Sequence, residues 1–198
     1  MPRRFTTVAV AVVMLVSLTS IARAQLTHLG FGGGYTAAPN NADESTVGAW
    51  NAEAFLLIGA PVIPLGIRPT LFSYGRGTNT NQIPLACPGI TCPPTYATAG
   101  PERATGGALD FILHLGSGPI APYLIGGPAA VIVSRQLTPS STTWHNKGLG
   151  YEVGAGAQVS VGPLTVFGEA KYFGTSATAS RFSNHSVHMI PLTVGFAF

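Results

Sequence analysis

The sequence predicts an all-β protein: a closed antiparallel up-and-down transmembrane β-barrel of about eight strands, following a cleavable signal peptide. Three observations carry this expectation. Apolar side chains recur at every second position through segment after segment, as in LTHLGFGGGYT (26–36) and IPLTVGFAF (190–198), which is the period of a strand with one greasy face. Charged residues are only 9% of the chain, against about 25% in ordinary soluble proteins, so a water-facing exterior would be thinly covered. With 25 glycines and 16 prolines, long helices are disfavoured.

The N-terminus reads separately. Arg3 and Arg4 form a positive n-region, FTTVAVAVVMLVSLTSI supplies an apolar core, and Ala22-Arg23-Ala24 gives the small-x-small cleavage pattern of a secretory signal. A retained membrane anchor is the competing reading, but no stop-transfer cluster of charges follows. The expected division is therefore a signal peptide over 1–24 and one barrel domain over 25–198. No later apolar run reaches the roughly 18 residues of a membrane helix. The formal net charge is only +3 and falls when the N-terminal arginines leave, so no basic stripe argues for a nucleic-acid partner.

Each strand follows from its own alternation. In 26–36, Leu29, Phe31 and Tyr35 share one face, with His28 and glycines opposite. In 47–58, Trp50, Ala52, Ala54, Leu56 and Ile58 oppose Asn51 and Glu53. In 65–75, Ile67 and Leu71 oppose Arg68, Thr70 and Tyr74. In 104–115, Leu109, Phe111, Leu113 and Leu115 oppose Asp110 and His114. The segment IAPYLIGGPAAVIV (120–133) is apolar on both faces and its parity stays open. In 148–161, Tyr151, Val153, Ala155, Ala157, Val159 and Val161 oppose Glu152, Gly154, Gly156, Gln158 and Ser160. In 164–174, Leu164, Val166, Ala170 and Tyr172 oppose Thr165, Glu169 and Lys171, and 185–198 closes the set. These lengths are near the 9–11 residues of a tilted strand crossing a bilayer.

The connectors alternate as well. GAPVIP, GSGP and Gly162-Pro163 are short, whereas 37–46, 76–103, 134–147 and 175–184 are long and polar. Short turns at one end and long loops at the other are the layout of an outer-membrane barrel. The turn end, shared by both termini, is expected to be periplasmic and the loop 76–103 external. Cys87 and Cys92 in that loop would close a small ring in an oxidising compartment, a disulfide contributing about 2 kcal/mol to one loop. Their spacing is not C-x-x-C and no His lies near, which argues against a metal or redox pair.

A β-sandwich or a lipocalin-like barrel would also alternate, with its apolar side as the core. Here the charged strand residues Glu53, Arg68, Asp110, Glu152, Glu169 and Lys171 all fall on the non-greasy face. Spread over an exterior they would be sparse. Inside a narrow lumen they can pair, with Gly30, Gly32, Gly34, Gly154 and Gly156 making room.

With these residues in view, the chain from Gln25 to Phe198 resembles the small outer-membrane β-barrel proteins of the OmpA/OmpX type. The resemblance rests on PYLIGG (122–127), GYEVGAGAQVSVGPLTVFGEAKY (150–172) and the terminal strand. It implies that Ile190, Leu192, Val194, Phe196 and Phe198 act as the signal taken up by the barrel-insertion machinery. Pro69, Pro122, Pro128 and Pro191 depart from the simplest strand pattern, and bulges or strand ends are expected at them.

Little in the chain suggests chemistry. His185 and His188, three apart on a strand, point to opposite faces and make a poor chelating pair. His28 and His114 read as lumen residues among the carboxylates, and His145 beside Trp144 as an exposed loop residue. Ser183, His185 and Ser186 are adjacent in a strand, which is no triad. GFGGGY (30–35) lacks the spacing and helix context of a phosphate loop. Asn184-His185-Ser186 fits a glycosylation sequon.

The expected function is therefore a non-enzymatic outer-membrane barrel, porin-like in form but without a general pore, serving the cell envelope through structural or surface-loop interactions. It is expected to be a monomer without metal or cofactor, with outer-membrane lipid against Leu109, Phe111, Leu113, Val153, Ala155, Ala157, Val159, Val166, Leu192, Val194 and Phe196. Trp50, Tyr35, Tyr151, Tyr172 and Phe198 are the interfacial-girdle candidates. A lipid-modifying hydrolase and a soluble ligand-binding barrel are the alternatives.

Overall fold

The computed structural model describes residues 26–37, 48–59, 64–77, 82–84, 96–116, 118–138, 142–176 and 187–198. Residues 1–24, Cys87, Cys92, Ser183, His185 and Ser186, on which expectations were placed, lie outside the described residues.

Among the described residues nine strands follow in order: β1 (Leu26–Ala37), β2 (Gly48–Gly59), β3 (Leu65–Arg76), β4 (Gln82–Pro84), β5 (Tyr96–His114), β6 (Ile120–Thr138), β7 (Thr142–Val161), β8 (Leu164–Thr175) and β9 (Val187–Ala197). All pairings are antiparallel. β4 pairs only with Tyr96–Thr98 of β5. The other eight close into a barrel, because β1 pairs with β9 and β3 pairs with β5. Closure gives each of these eight strands a partner on both sides. At the seam, Leu29 and Phe198 exchange backbone hydrogen bonds of 2.9 and 3.0 Å. A single tight turn at Gly162-Pro163 links β7 to β8, with Gly162 at φ +63°, a left-handed conformation that suits glycine.

Two expectations about the strands are corrected. Segment 134–147 is not a long loop. β6 runs to Thr138, β7 starts at Thr142, and the two stay paired out to Leu137 and Thr142. Likewise β5 begins at Tyr96, so 96–103 belongs to a strand rather than to the loop. These extensions stand above the apolar belt, where both faces can be polar. The period-two signal is lost there although backbone pairing continues.

The four prolines Pro69, Pro122, Pro128 and Pro191 make neither bulges nor strand ends; the β5–β6 register shifts instead between Ala99 and Glu102, around Pro101. The β2–β3 ladder steps from Phe55↔Thr70 to Ile58↔Ile67, passing over Pro69 in unchanged register. The β5–β6 ladder does the same at Pro128, between Ala108↔Ala129 and Phe111↔Gly126. The β8–β9 ladder does so at Pro191, between Ala170↔Leu192 and Phe173↔Met189. A proline removes one donor on one side, and its opposite neighbour still pairs, as Pro69↔Leu109, Pro128↔Tyr151 and Pro191↔Thr36 show. Pro122 pairs with Ala157 within β6.

Side chains divide cleanly between the two sides of the wall. Leu71, Ile120, Leu149 and Val194 are 64–77% exposed on the outside, within a belt that includes Leu109, Phe111, Val153, Val166, Leu192 and Phe196. Ala155 and Ala157 are exposed on the same face. Inside, an apolar layer of Phe72, Tyr74, Val131, Val133, Phe173, Val187 and Met189 fills the loop end. Smaller clusters around Phe55 and Phe167, and around Ile112, Tyr123 and Ile125, stand toward the turn end. The open parity of β6 resolves: Ala121, Tyr123, Ile125, Ala129, Val131 and Val133 point inward, Ile120, Leu124 and Ile132 outward.

Candidate functional site

Between the two apolar ends of the lumen lies a layer of charge. Alternation along each strand delivers its members inward: Glu53 from β2, Arg68 from β3, Asp110 from β5, Glu152 from β7, and Glu169 and Lys171 from β8. Arg68 reaches across the barrel from β3 to β8, on opposite walls in the strand order. Its Nη1 and Nη2 donate to Glu169 Oε2 at 2.9 Å and Oε1 at 3.0 Å, the bidentate fork that guanidinium geometry favours. Asp110 Oδ2 lies 3.6 Å from Arg68 Nε and Glu53 Oε1 3.9 Å from Nη2. Lys171 Nζ donates to Glu53 Oε2 at 2.7 Å and lies 3.2 Å from Glu169 and 3.6 Å from Glu152. The structure thus brings all six expected lumen residues together, with side chains no more than 2% exposed.

Neutral donors complete the layer, and these the sequence reading left out of the network. Tyr123 Oη donates to Glu169 at 2.9 Å, Tyr74 Oη to Glu152 at 3.1 Å, and Thr70 Oγ1 to Asp110 at 2.8 Å. Arg68 also sits over the Phe55 ring, 4.4 Å from its centroid. Tyr123 could not be placed because β6 is apolar on both faces; Tyr74 and Thr70 already shared the parity of Arg68. Nearer the loops, Arg76 and Glu102 form a second inward pair at 3.6 Å. Four carboxylates converge on two cations, so removing either cation would strand buried charge, which is strongly destabilising.

Room for these side chains comes from facing glycines. A Cβ on Gly156 would meet the Tyr123 ring, and one on Gly30 would meet Phe55. Below the charged layer the lumen opens as a cavity of about 380 Å³ at the turn end. Its lining includes Phe55, Leu57, Ile112, Phe167 and both His28 and His114. The two histidines are thus not among the carboxylates as expected: their registers, His28↔Leu57 and His114↔Tyr123, set them one layer lower.

On the outer surface, Phe31, Phe196 and Phe198 cluster at the turn end, with ring centroids 6.3–6.4 Å apart. Toward the loop end, Tyr172 Oη lies 2.7 Å from His188 Nδ1 and Tyr151 packs nearby. His145 is on β7 rather than in a loop, opposite Ser134. Among the described residues no group of three or more His, Cys, Asp or Glu could hold a metal ion, and no helix is long and apolar enough to cross a membrane.

The fold has known counterparts. A major outer membrane protein from Thermus thermophilus is similar with a TM-score of 0.61 at 14% identity, over 89% of this chain and 99% of that one. Neisserial surface protein A is similar with a TM-score of 0.51 at 15% identity, over 86% of this chain and 95% of that one. No family model and no curated protein sequence matches the chain. At these identities the likeness establishes the eight-stranded barrel fold.

Proposed function

We propose that this chain is a non-enzymatic outer-membrane barrel whose body is an inert, plugged anchor and whose loop end meets the surroundings of the cell. One observation carries the reading: large apolar side chains stand exposed on the outside while Glu53, Arg68, Asp110, Glu152, Glu169 and Lys171 are buried inside. That is the reverse of a soluble barrel, and it suits a wall solvated by hydrocarbon. Both solved counterparts bear names that refer to an outer membrane or a surface, which agrees with this location. On this reading the outward row Ile190, Leu192, Val194, Phe196 and Phe198 of the last strand is what the insertion machinery recognises. The long connectors then lie outside the cell, where Cys87 and Cys92 would be oxidised.

The interior argues for an anchor rather than a channel. The charged layer ties opposite walls together, and the aromatic and aliphatic layer above it closes the loop end. An eight-stranded barrel is about filled by its own side chains. Cell fractionation tests the reading directly: the protein should partition with outer membranes, require detergent for release, and migrate differently on gels before and after heating. Release by osmotic shock without detergent would contradict it. In planar bilayers the purified protein should show no stable conductance steps of porin size.

A further inference from the structure

The outside of the barrel is not electrically uniform. All five acidic side chains among the described residues, Glu53, Glu102, Asp110, Glu152 and Glu169, point inward and are buried. Of the described cations, Arg68, Arg76, Arg135 and Lys171 follow the inward parity of their strands. Only Arg103 on β5 and Lys147 on β7 point outward, and they stand on the same sector of wall. Arg103 pairs across β6 Ser134, which pairs in turn with His145 of β7. Lys147, two residues further along β7, pairs with Ile132.

Height matters as much as side. Along β5, Arg103 lies ten residues from Leu113, roughly 34 Å of strand, or about 25 Å of barrel height at the usual tilt. That is the full height of the apolar belt of such barrels. Around Arg103 the outward surface changes accordingly from Leu109 and Phe111 to Thr105, Ser73 and Ser134. The guanidinium is held ready there. It lies over the indole of Trp50, with Cζ 3.9 Å from the ring centroid, and Nη1 donates to Ser73 Oγ at 3.1 Å. Ser73 Oγ is itself 3.3 Å from Thr105 Oγ1. Lys147 is exposed and has no carboxylate partner among the described residues. A guanidinium stacked on an aromatic at the edge of a hydrocarbon belt is pre-organised to take a phosphate, and the hydroxyls around it add donors.

We infer that the β3–β7 sector at the loop end is a docking site for the phosphate of an anionic membrane lipid, held by Arg103 and Lys147 with Trp50 against its acyl chains. This rests on the membrane reading above, since the occupant's chains must lie along Leu71, Leu109 and Ile132. Among the described residues the opposite sector, with Tyr35, Tyr172 and His188 outward, presents no lysine or arginine.

Trp50 is the reporter for a test. The chain has two tryptophans, so Trp144→Phe leaves Trp50 alone. This protein is reconstituted in phosphatidylcholine vesicles containing a small, equal fraction of either bromine-labelled phosphatidic acid or bromine-labelled phosphatidylcholine. Quenching of Trp50 should report about fivefold enrichment of the phosphatidic acid, the scale expected for a basic side chain at a membrane surface, and the enrichment should fall with salt. Adding Arg103→Gln and Lys147→Gln should bring the two lipids to parity while heat-dependent gel migration persists. Lys147→Gln alone, at an exposed side chain, should give an intermediate ratio. Equal quenching by both lipids in the starting protein would overturn the docking site and leave the membrane reading standing, as would a preference that survives the double substitution. Quenching by neither lipid would overturn both.

Discussion

The middle of the lumen and its loop end are built by the same strands, a few residues apart, from opposite materials. On β8, Glu169 and Lys171 belong to the charged layer and Phe173 to the apolar one; on β3, Arg68 is charged and Phe72 and Tyr74 are apolar. The charged layer is specified by pairing: each cation answers carboxylates from other strands, so register is fixed by position as much as by energy. The apolar layer is specified by shape. Phe72 stacks on Tyr74 at 4.5 Å, and Phe173 meets both edge-on at 5.4 and 5.6 Å. The difference separates two tasks, alignment of the walls and closure of the lumen.

Substitutions can divide the two layers. The largest loss is expected from Lys171→Met, which leaves Glu53, Glu152 and Glu169 facing one another. Breaking a buried charge network by removing one partner should destabilise by about 3–5 kcal/mol, read as a lower denaturant midpoint for refolding in detergent. Phe173→Ala should come next, at about 3 kcal/mol from the cavity it opens, and it should leave the register intact. A strand slip detected in Phe173→Ala but not in Lys171→Met would reverse the assignment of tasks. Gly156→Val, which drives a side chain against Tyr123 and its bond to Glu169, should be milder at about 1–3 kcal/mol. Smallest is Trp50→Leu, which removes the stacking under Arg103, worth about 0.5–1 kcal/mol at an exposed site, and disturbs neither layer.

The same contrast explains what could be read from sequence. Where an inward face is charged and the outward face greasy, as in β7 and β8, alternation alone placed Glu152, Glu169 and Lys171 inside. Where the inward face belongs to the apolar layer, the two sides look alike. IAPYLIGGPAAVIV shows no parity for that reason, and without parity Tyr123 cannot be assigned to the network. Pairing across strands was also beyond the sequence, because the opposition of Arg68 and Glu169 depends on closure of the barrel. The extended β6–β7 hairpin carries no alternation for a third reason: above the hydrocarbon belt both faces tolerate polar residues, so nothing forces a period of two. Parity fixes side and not height, so it sets His28 and His114 on the lumen side without showing that they lie in the turn-end cavity.

The central claim is that hydrocarbon lies against the odd-numbered side chains of β7, and protein against the even-numbered ones. Single spin labels placed in turn at residues 151 to 159, in a protein with Cys87 and Cys92 replaced by serine and reconstituted in bilayers, measure this directly through collision with dissolved oxygen. High accessibility and mobility at Tyr151, Val153, Ala155, Ala157 and Val159, alternating with low values at Glu152, Gly154, Gly156 and Gln158, is the expected pattern. The inverse alternation, or labels at Val153 and Ala155 that are immobile and shielded from oxygen, would contradict the account.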